Sequence, residues 1–428
     1  MNVCGFPGCT STAALRCSRC QATYYCTKEH QRSHWKTHKK NCVVATIVVA
    51  PATPLTKVAS SPSRGRYLVS ARPIARATTI LSEPPLIPPV LQSHNQDLRC
   101  PYCFLPTPSG SPHLSCLAKI KLNAELRQDF EGEATANAQL LPHRAPPTIV
   151  LAARCLRRLF TPANSSNNNV ADSRFLSLTD NLELMESGLK SRLQQIARLV
   201  IRYYNMSRGG ESATTEPGLA DAVGVLARIN QNGFTVADSE LQPLGIGIYL
   251  QAATNVNHSC KPTMVSSFGL KEGEPPRLIM RTIQSVGVGV ELSNAYIDTG
   301  QAKADRRSEL QSSYCFSCEC VACVSGLYEA SAAQYEEVKA SGISVQKYLD
   351  EGNFEAAARV LRGVLPSYEK ALFANSPNLG IQLYKLCKLL EYHGQDLGLA
   401  AECRRRAEEI LTVCYGEEDI LVREIRRR

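Results

Sequence analysis

The first 42 residues carry the series Cys4-x4-Cys9-x7-Cys17-x2-Cys20-x5-Cys26-x3-His30-x7-His38-x3-Cys42, eight soft ligands in four close pairs. One close pair bites one ion, and each ion then needs a second pair from further along the chain, so eight ligands suffice for two tetrahedral zinc ions. A unit of this size cannot bury enough apolar surface to fold unaided, and metal ions take the place of its core. In a helix, Cys26 and His30 lie one turn apart on a shared face, as do His38 and Cys42. His34 stands one turn beyond His30 and competes with it as a ligand.

Fourteen of the 18 cysteines fall in three bunches, at 4–42, at 100–116, and at 315–323 together with Cys260. The N-terminus lacks the basic-then-apolar pattern of a secretory signal. Short cysteine spacings in such a chain argue for metal sites over disulfides, and for a reducing compartment, nucleus or cytoplasm. The middle bunch, Cys100-x2-Cys103-x9-His113-x2-Cys116, could hold a zinc of its own. The formal charge of +9 falls by four, to about +5, if ten thiolates hold three Zn²⁺. That bias is too mild to predict nucleic-acid binding. The longest apolar run, residues 43–50, is far short of the roughly 20 residues a membrane span needs.

A length of 428 residues, 44% of them apolar and 20% charged, predicts two or three folded domains. A Pro/Ser/Thr-rich stretch over 43–63 reads as a linker after the cysteine-rich module 1–42. Short β-prone runs interrupted by Gly and Pro follow from Tyr67 to Val90 and return over 218–310. Residues 175–204 place Leu178, Leu182, Met185, Leu189, Leu193, Ile196 and Val200 at helical spacing. Polar stretches at 161–173 and 207–217 predict surface loops. After Cys323 the text becomes rich in Ala, Leu, Glu and Arg with helical periodicity, suggesting antiparallel helix pairs.

Three separated pieces complete the pattern: Asn257-His258-Ser259-Cys260, then Glu291-Leu292-Ser293-Asn294-Ala295-Tyr296, then Cys315-Phe316-Ser317-Cys318-Glu319-Cys320-x2-Cys323. Cys318, Cys320 and Cys323 supply three thiolates, a closed zinc shell requires a fourth, and Cys260 is its natural donor. In this order the pieces resemble the SET domain and its post-SET zinc loop, and residues 1–42 resemble the MYND finger. The whole resembles the SET- and MYND-domain-containing protein lysine methyltransferases. The resemblance implies an α+β multidomain fold: the MYND finger at 1–42, the linker at 43–63, a SET β-fold at 64–310 with a helical insertion around 98–217, the post-SET loop at 311–325, and a tetratricopeptide-like helical domain at 326–428.

It implies further a cross-braced finger, with Cys4, Cys9, Cys26 and His30 on one zinc and Cys17, Cys20, His38 and Cys42 on the other. Cys260, Cys318, Cys320 and Cys323 would hold a third. S-adenosylmethionine would be held by Asn257, His258, Asn232, Phe316 and the turn at Arg66, with Phe234 and Tyr296 walling the lysine channel and Tyr296 as the catalytic residue. Tyr67 stands where the family has the second glycine of a Gly-x-Gly turn, and a positive φ there would strain a tyrosine. Here, too, the finger precedes the SET domain, whereas the family inserts it, and the cysteines at 100–116 stand at that insertion point. The implied partners are a protein lysine as substrate and proline-rich peptides on the finger, to a monomeric enzyme. Pro84-Pro85-Leu86-Ile87-Pro88 has the form of such a peptide, although it reads more simply as part of a strand edge of the SET fold. The alternative function is a non-catalytic adaptor working through the finger and the helical tail.

Overall fold

The computed structural model describes residues 3–13, 15–17, 23–39, 54–139, 145–160, 172–208, 216–325 and 332–427. The chain divides into two compact units, 1–54 and 55–428. In the first, β1 (Leu15–Arg16) pairs antiparallel with β2 (Tyr24–Tyr25), and a helix runs over Lys28–His38. Thr27 caps that helix, its hydroxyl accepting the His30 N–H at 3.2 Å. The small core is Cys4, Ala13, Cys17 and Tyr25, so half of it is sulfur, as a metal-centred module requires.

The second unit contains three antiparallel three-stranded sheets. The first is ordered β11-β4-β3, from Glu291–Leu292, Gly65–Ser70 and Thr56–Ser61. The second is β5-β10-β9, from Thr79–Glu83, Glu274–Thr282 and Met264–Lys271. The third is β6-β8-β7, from Val90–Leu91, Pro243–Ile248 and Gly233–Ala237. Each sheet therefore joins strands before residue 92 to strands after residue 232. The intervening helices, Leu114–Leu122, Ala124–Gln139, Pro147–Phe160, Ser187–Ser207 and Leu219–Asn232, form an insertion with its own core around Leu151, Leu156, Phe175, Leu193 and Leu226. Two buried arginines cross that core. Arg154 is matched by a bidentate pair with Glu133 and Arg157 by Asp129, which offsets the cost of burying either cation.

The C-terminal region is entirely helical among the described residues, with Phe354–Ala371, Pro377–Tyr392, Leu397–Tyr415 and Ile420–Arg427 sharing one apolar core. The four-residue link between Tyr392 and Leu397 makes its two helices antiparallel neighbours, and Gly394, at φ +62°, supplies the sharp turn. No helix among the described residues is long and apolar enough to cross a membrane.

Two expectations change, and one pair of alternatives is decided. Strand β3 lies inside the stretch read as a linker, because residues 56–61 pair in register with β4 from Thr56↔Ser70 to Ser61↔Gly65. The helical segment expected over 175–204 is broken: helix runs only to residue 176 and resumes at Ser187. Asn181 adopts φ +52°, and its carboxamide donates to Gln231 Oε1 at 3.0 Å and to the Tyr314 carbonyl at 2.9 Å. These tertiary bonds hold Leu178 and Met185 in the core without helix. The Pro84–Pro88 stretch belongs to the sheet body: Leu86 donates to Ile248 O at 2.8 Å, and Pro88 O accepts Arg154 Nη1 at 2.7 Å. The polar stretches at 161–173 and 207–217 lie largely outside the described residues.

Gly245 in β8 is a tightly packed point of the sheets. A Cβ there would stand 2.4 Å from the Val90 carbonyl oxygen and 2.5 Å from the buried Phe104 ring. Gly245→Ala is expected to cost about 1–3 kcal/mol of stability from overpacking. Chemical denaturation checks it, and an unchanged midpoint would mean that the strand relaxes freely.

Candidate functional site

Three groups among the described residues bring four Cys/His ligand atoms within 4.8 Å of one another: Cys4, Cys9, Cys26 and His30; Cys100, Cys103, His113 and Cys116; and Cys260, Cys318, Cys320 and Cys323. Two Zn–S bonds of about 2.3 Å at the tetrahedral angle place sulfurs about 3.8 Å apart. In the finger, Cys9 and Cys26 sulfurs are 3.7 Å apart, and His30 Nδ1 lies 3.7 Å from Cys4 Sγ and 3.1 Å from Cys26 Sγ. His30 is thus the ligand, while His34 Nδ1 meets the Tyr25 hydroxyl at 3.1 Å. Phe6 stacks on the His30 ring at 4.4 Å and fixes its plane. Of the other expected set, Cys17 and His38 are buried, and Cys20 and Cys42 lie outside the described residues.

The third group joins two distant parts of the chain. Cys260 Sγ stands 3.5 Å from Cys323 Sγ, and Cys260 and Cys318 donate to Cys320, whose thiol is held far below its ordinary range. Cys315 lies outside this cluster. At φ +61° it instead ends the helix Lys303–Tyr314 and turns the chain into the loop. Arg306, on that helix, is 1% exposed; its Nη1 donates to Gln301 O, and its Nε and Nη2 have no hydrogen-bond partner. Burial works against its charge, and the neighbouring Cys260 and Cys323 favour it. Four thiolates on a divalent ion leave an excess of negative charge, which this buried cation balances. The donor sets and spacings fit zinc, and the finger and the loop are zinc-binding sites. Arg306→Met is expected to weaken the loop's zinc affinity about 10–100-fold, read by competition with a chromophoric chelator; unaltered competition would remove Arg306 from the account.

The segment leading into Cys260 runs parallel to the chain before Tyr296. Asn294 N donates to Asn257 O at 3.0 Å, Ser259 N donates to Asn294 O at 2.9 Å, and His258 bridges to Asn294. Tyr296 N donates to His258 Nδ1 at 2.9 Å, so the proton of the neutral imidazole sits on Nε2, 3.2 Å from Cys260 Sγ. Burial pushes this imidazole down to about 4 and keeps it uncharged. The Tyr296 hydroxyl donates to the Val256 carbonyl, and burial raises it above the usual phenol range. Its oxygen keeps lone pairs for an incoming donor. Around it stand Tyr314, ring centroids 5.1 Å apart, and the His258 ring at 5.4 Å, with Phe316 6.1 Å from His258.

Asn257 Nδ2 donates to Arg64 O at 3.1 Å, next to Gly65, where a Cβ would meet no atom within 4 Å. Gly65 takes φ +62°, whereas Tyr67 does not have positive φ and pairs with Ala59 in the hairpin. The strain expected at Tyr67 is therefore absent. Arg64 reaches Glu291 at 2.6 Å and lies 5.0 Å over the Tyr67 ring.

The other expected site residues make their contacts elsewhere. Arg66 is exposed opposite Ser60 in β3. The Asn232 carboxamide donates to Thr179 O and Arg228 O, both at 2.8 Å. Phe234 packs edge-on against Tyr249 at 5.7 Å. Tyr314 and Arg306 escaped the sequence reading. Tyr314 carried a signal, being the aromatic immediately before the cysteine loop; Arg306 looked like one of many charges on a polar helix.

Residues 2–42 match the MYND finger family. The histone-lysine N-methyltransferase SMYD3 of Homo sapiens is 28% identical over 209 residues, covering 49% of this chain and 46% of that protein. The N-lysine methyltransferase SMYD2 of Homo sapiens is 25% identical over 339 residues, covering 77% and 72%. The histone-lysine N-methyltransferase ASHR1 of Arabidopsis thaliana is 26% identical over 276 residues, covering 62% and 54%. The match to SMYD3 spans about half of either chain. A crystal structure of the SET domain of LSMT bound to lysine and AdoHcy covers 92% of this chain and 89% of its own, at TM-score 0.35 and 12% identity, too distant to carry an argument. The finger at the N-terminus, the cysteine loop closed on the Asn257–Cys260 segment, and these relatives together make the chain similar to the SET- and MYND-domain proteins.

Proposed function

We propose that the chain transfers a methyl group from S-adenosylmethionine to the side-chain amine of a lysine in a protein. The observation that carries this reading is the state of Tyr296. Its backbone N–H is spent on His258 and its hydroxyl proton on Val256 O, so its oxygen can only accept. A lysine amine donating to that oxygen has its lone pair oriented away from the tyrosine, ready for displacement. Tyr314 and Phe316 line the approach with aromatic surface, which lowers a lysine pKa from its ordinary value of about 10.4. A phenol held above its usual range cannot serve as the base at neutral pH, so the amine arrives already deprotonated.

S-adenosylmethionine, when bound, supplies an electrophilic methyl group on a sulfonium. Asn257, the open backbone at Gly65 and the half-exposed Phe316 ring are the residues that would hold it, and they fit an adenosine with a polar tail. SMYD3 and SMYD2 are named as lysine methyltransferases, which supports the same reading. The grouping of cysteines into metal-ligand clusters supports a reducing compartment, nucleus or cytoplasm.

Calorimetric titration of S-adenosylmethionine into the zinc-loaded full chain tests the reading without knowledge of the substrate. Micromolar binding is expected, weakened at least tenfold by Asn257→Ala through loss of a polar contact. Folded, metal-replete protein that takes up no cofactor would sink the enzyme and leave an adaptor.

A further inference from the structure

We propose that Cys100, Cys103, His113 and Cys116 hold a structural zinc ion within the insertion, and that this ion clamps the insertion to the turn between β9 and β10. The four ligand atoms lie within 4.8 Å of one another, with Cys103 Sγ 3.4 Å from His113 Nδ1. All three cysteines are completely buried.

Two local bites build the site. Cys100 and Cys103 occupy a tight turn in which Cys100 N donates to Leu105 O at 2.9 Å and Phe104 N donates to Cys100 O at 3.0 Å. This brings two sulfurs to one side of a short loop. Phe104, directly after the second cysteine, adopts φ +64°, a conformation that non-glycine residues rarely take. The turn thereby places Cys100 and Cys103 next to His113, whose Nδ1 lies 3.4 Å from Cys103 Sγ. His113 and Cys116 form the second bite at the start of the helix Leu114–Leu122, one turn apart. The donor set is closed, three sulfurs and one nitrogen, as in a structural rather than a catalytic zinc site.

The local apolar cluster is Tyr102 and Ile120, with Leu105, Leu126 and Phe130 at its edge, small for a loop of this length. The ion would replace the missing core. Its far side meets the sheet. Ser115 Oγ donates to Glu272 Oε1 at 2.7 Å, and Gly273, at φ +78°, makes the turn beside Ser115. Residues 271–274 join β9 to β10, so the site fixes the insertion against that sheet independently of the zinc at Cys260.

The readout is metal content and backbone protection in the full chain. Plasma mass spectrometry on Cys103→Ser/Cys116→Ser is expected to show one zinc fewer per chain than wild type. Hydrogen exchange should rise about tenfold or more at 98–122 and 271–274. Unchanged zinc content overturns the proposal. Should that variant fail to fold, His113→Cys in the cobalt-substituted protein decides the matter. Added thiolate-to-cobalt absorption with a shifted visible band supports His113 as a ligand, and a spectrum identical to wild type overturns it.

Discussion

Tyr296→Phe is expected to lower kcat on a methyl-accepting protein about a hundredfold while leaving S-adenosylmethionine affinity within about twofold. The removed hydroxyl touches Val256 O and is the acceptor available to the lysine amine. Its ring would remain packed against Tyr314 and His258, so the cofactor side of the site stays assembled. The pH profile separates positioning from base catalysis. Burial raises the Tyr296 hydroxyl above the ordinary phenol range, so it stays protonated throughout the working range and contributes no titrating limb there. The wild-type rate should climb with pH as the substrate lysine loses its proton, and the phenylalanine variant should climb in parallel at a lower level. A variant whose pH limb disappears would show that Tyr296 takes the proton.

Cys260→Ser is expected to produce the larger collapse: one zinc lost per chain and S-adenosylmethionine affinity reduced more than about a hundredfold, beyond the effect usual for groups outside a metal's own shell. Cys260 lies two residues from His258, and Cys318 lies two residues from Phe316. Without the ion, four converging thiols and a buried Arg306 have nothing to hold them together. The loop that carries Phe316 and Tyr314 would part from the segment that carries Asn257 and His258. Zinc stoichiometry and calorimetry on the same preparation measure both effects. Zinc loss with intact cofactor binding would refute the coupling and make the loop a passive appendage.

The metal chemistry was legible in the sequence because the bite of a chelating pair is set by a few residues of local backbone. The spacings at Cys4–His30 and Cys318–Cys323 marked candidate ligands, and the pattern at Cys100–Cys116 was visible but vaguer. Choosing His30 over His34 needed tertiary structure, since both stand on one helix and only the placement of Tyr25 and Phe6 distinguishes them. The Tyr67 question was settled the same way: the positive φ falls on Gly65, which the register of β3 with β4 decides.

Long-range relations were illegible for a single physical reason. Sheet pairing such as that of β10 with β5 links residues about two hundred positions apart, buried ion pairs link residues tens apart, and no local pattern encodes which partner arrives. Hence β3 read as linker, the periodic run 175–204 concealed a break at Asn181, and Arg306 looked like solvent-facing charge. The sequence alone determined which atoms can bind zinc and which motifs follow one another. Folding decided which aromatic rings surround Tyr296 and where its proton points, because those depend on chain segments that meet only when the sheets close.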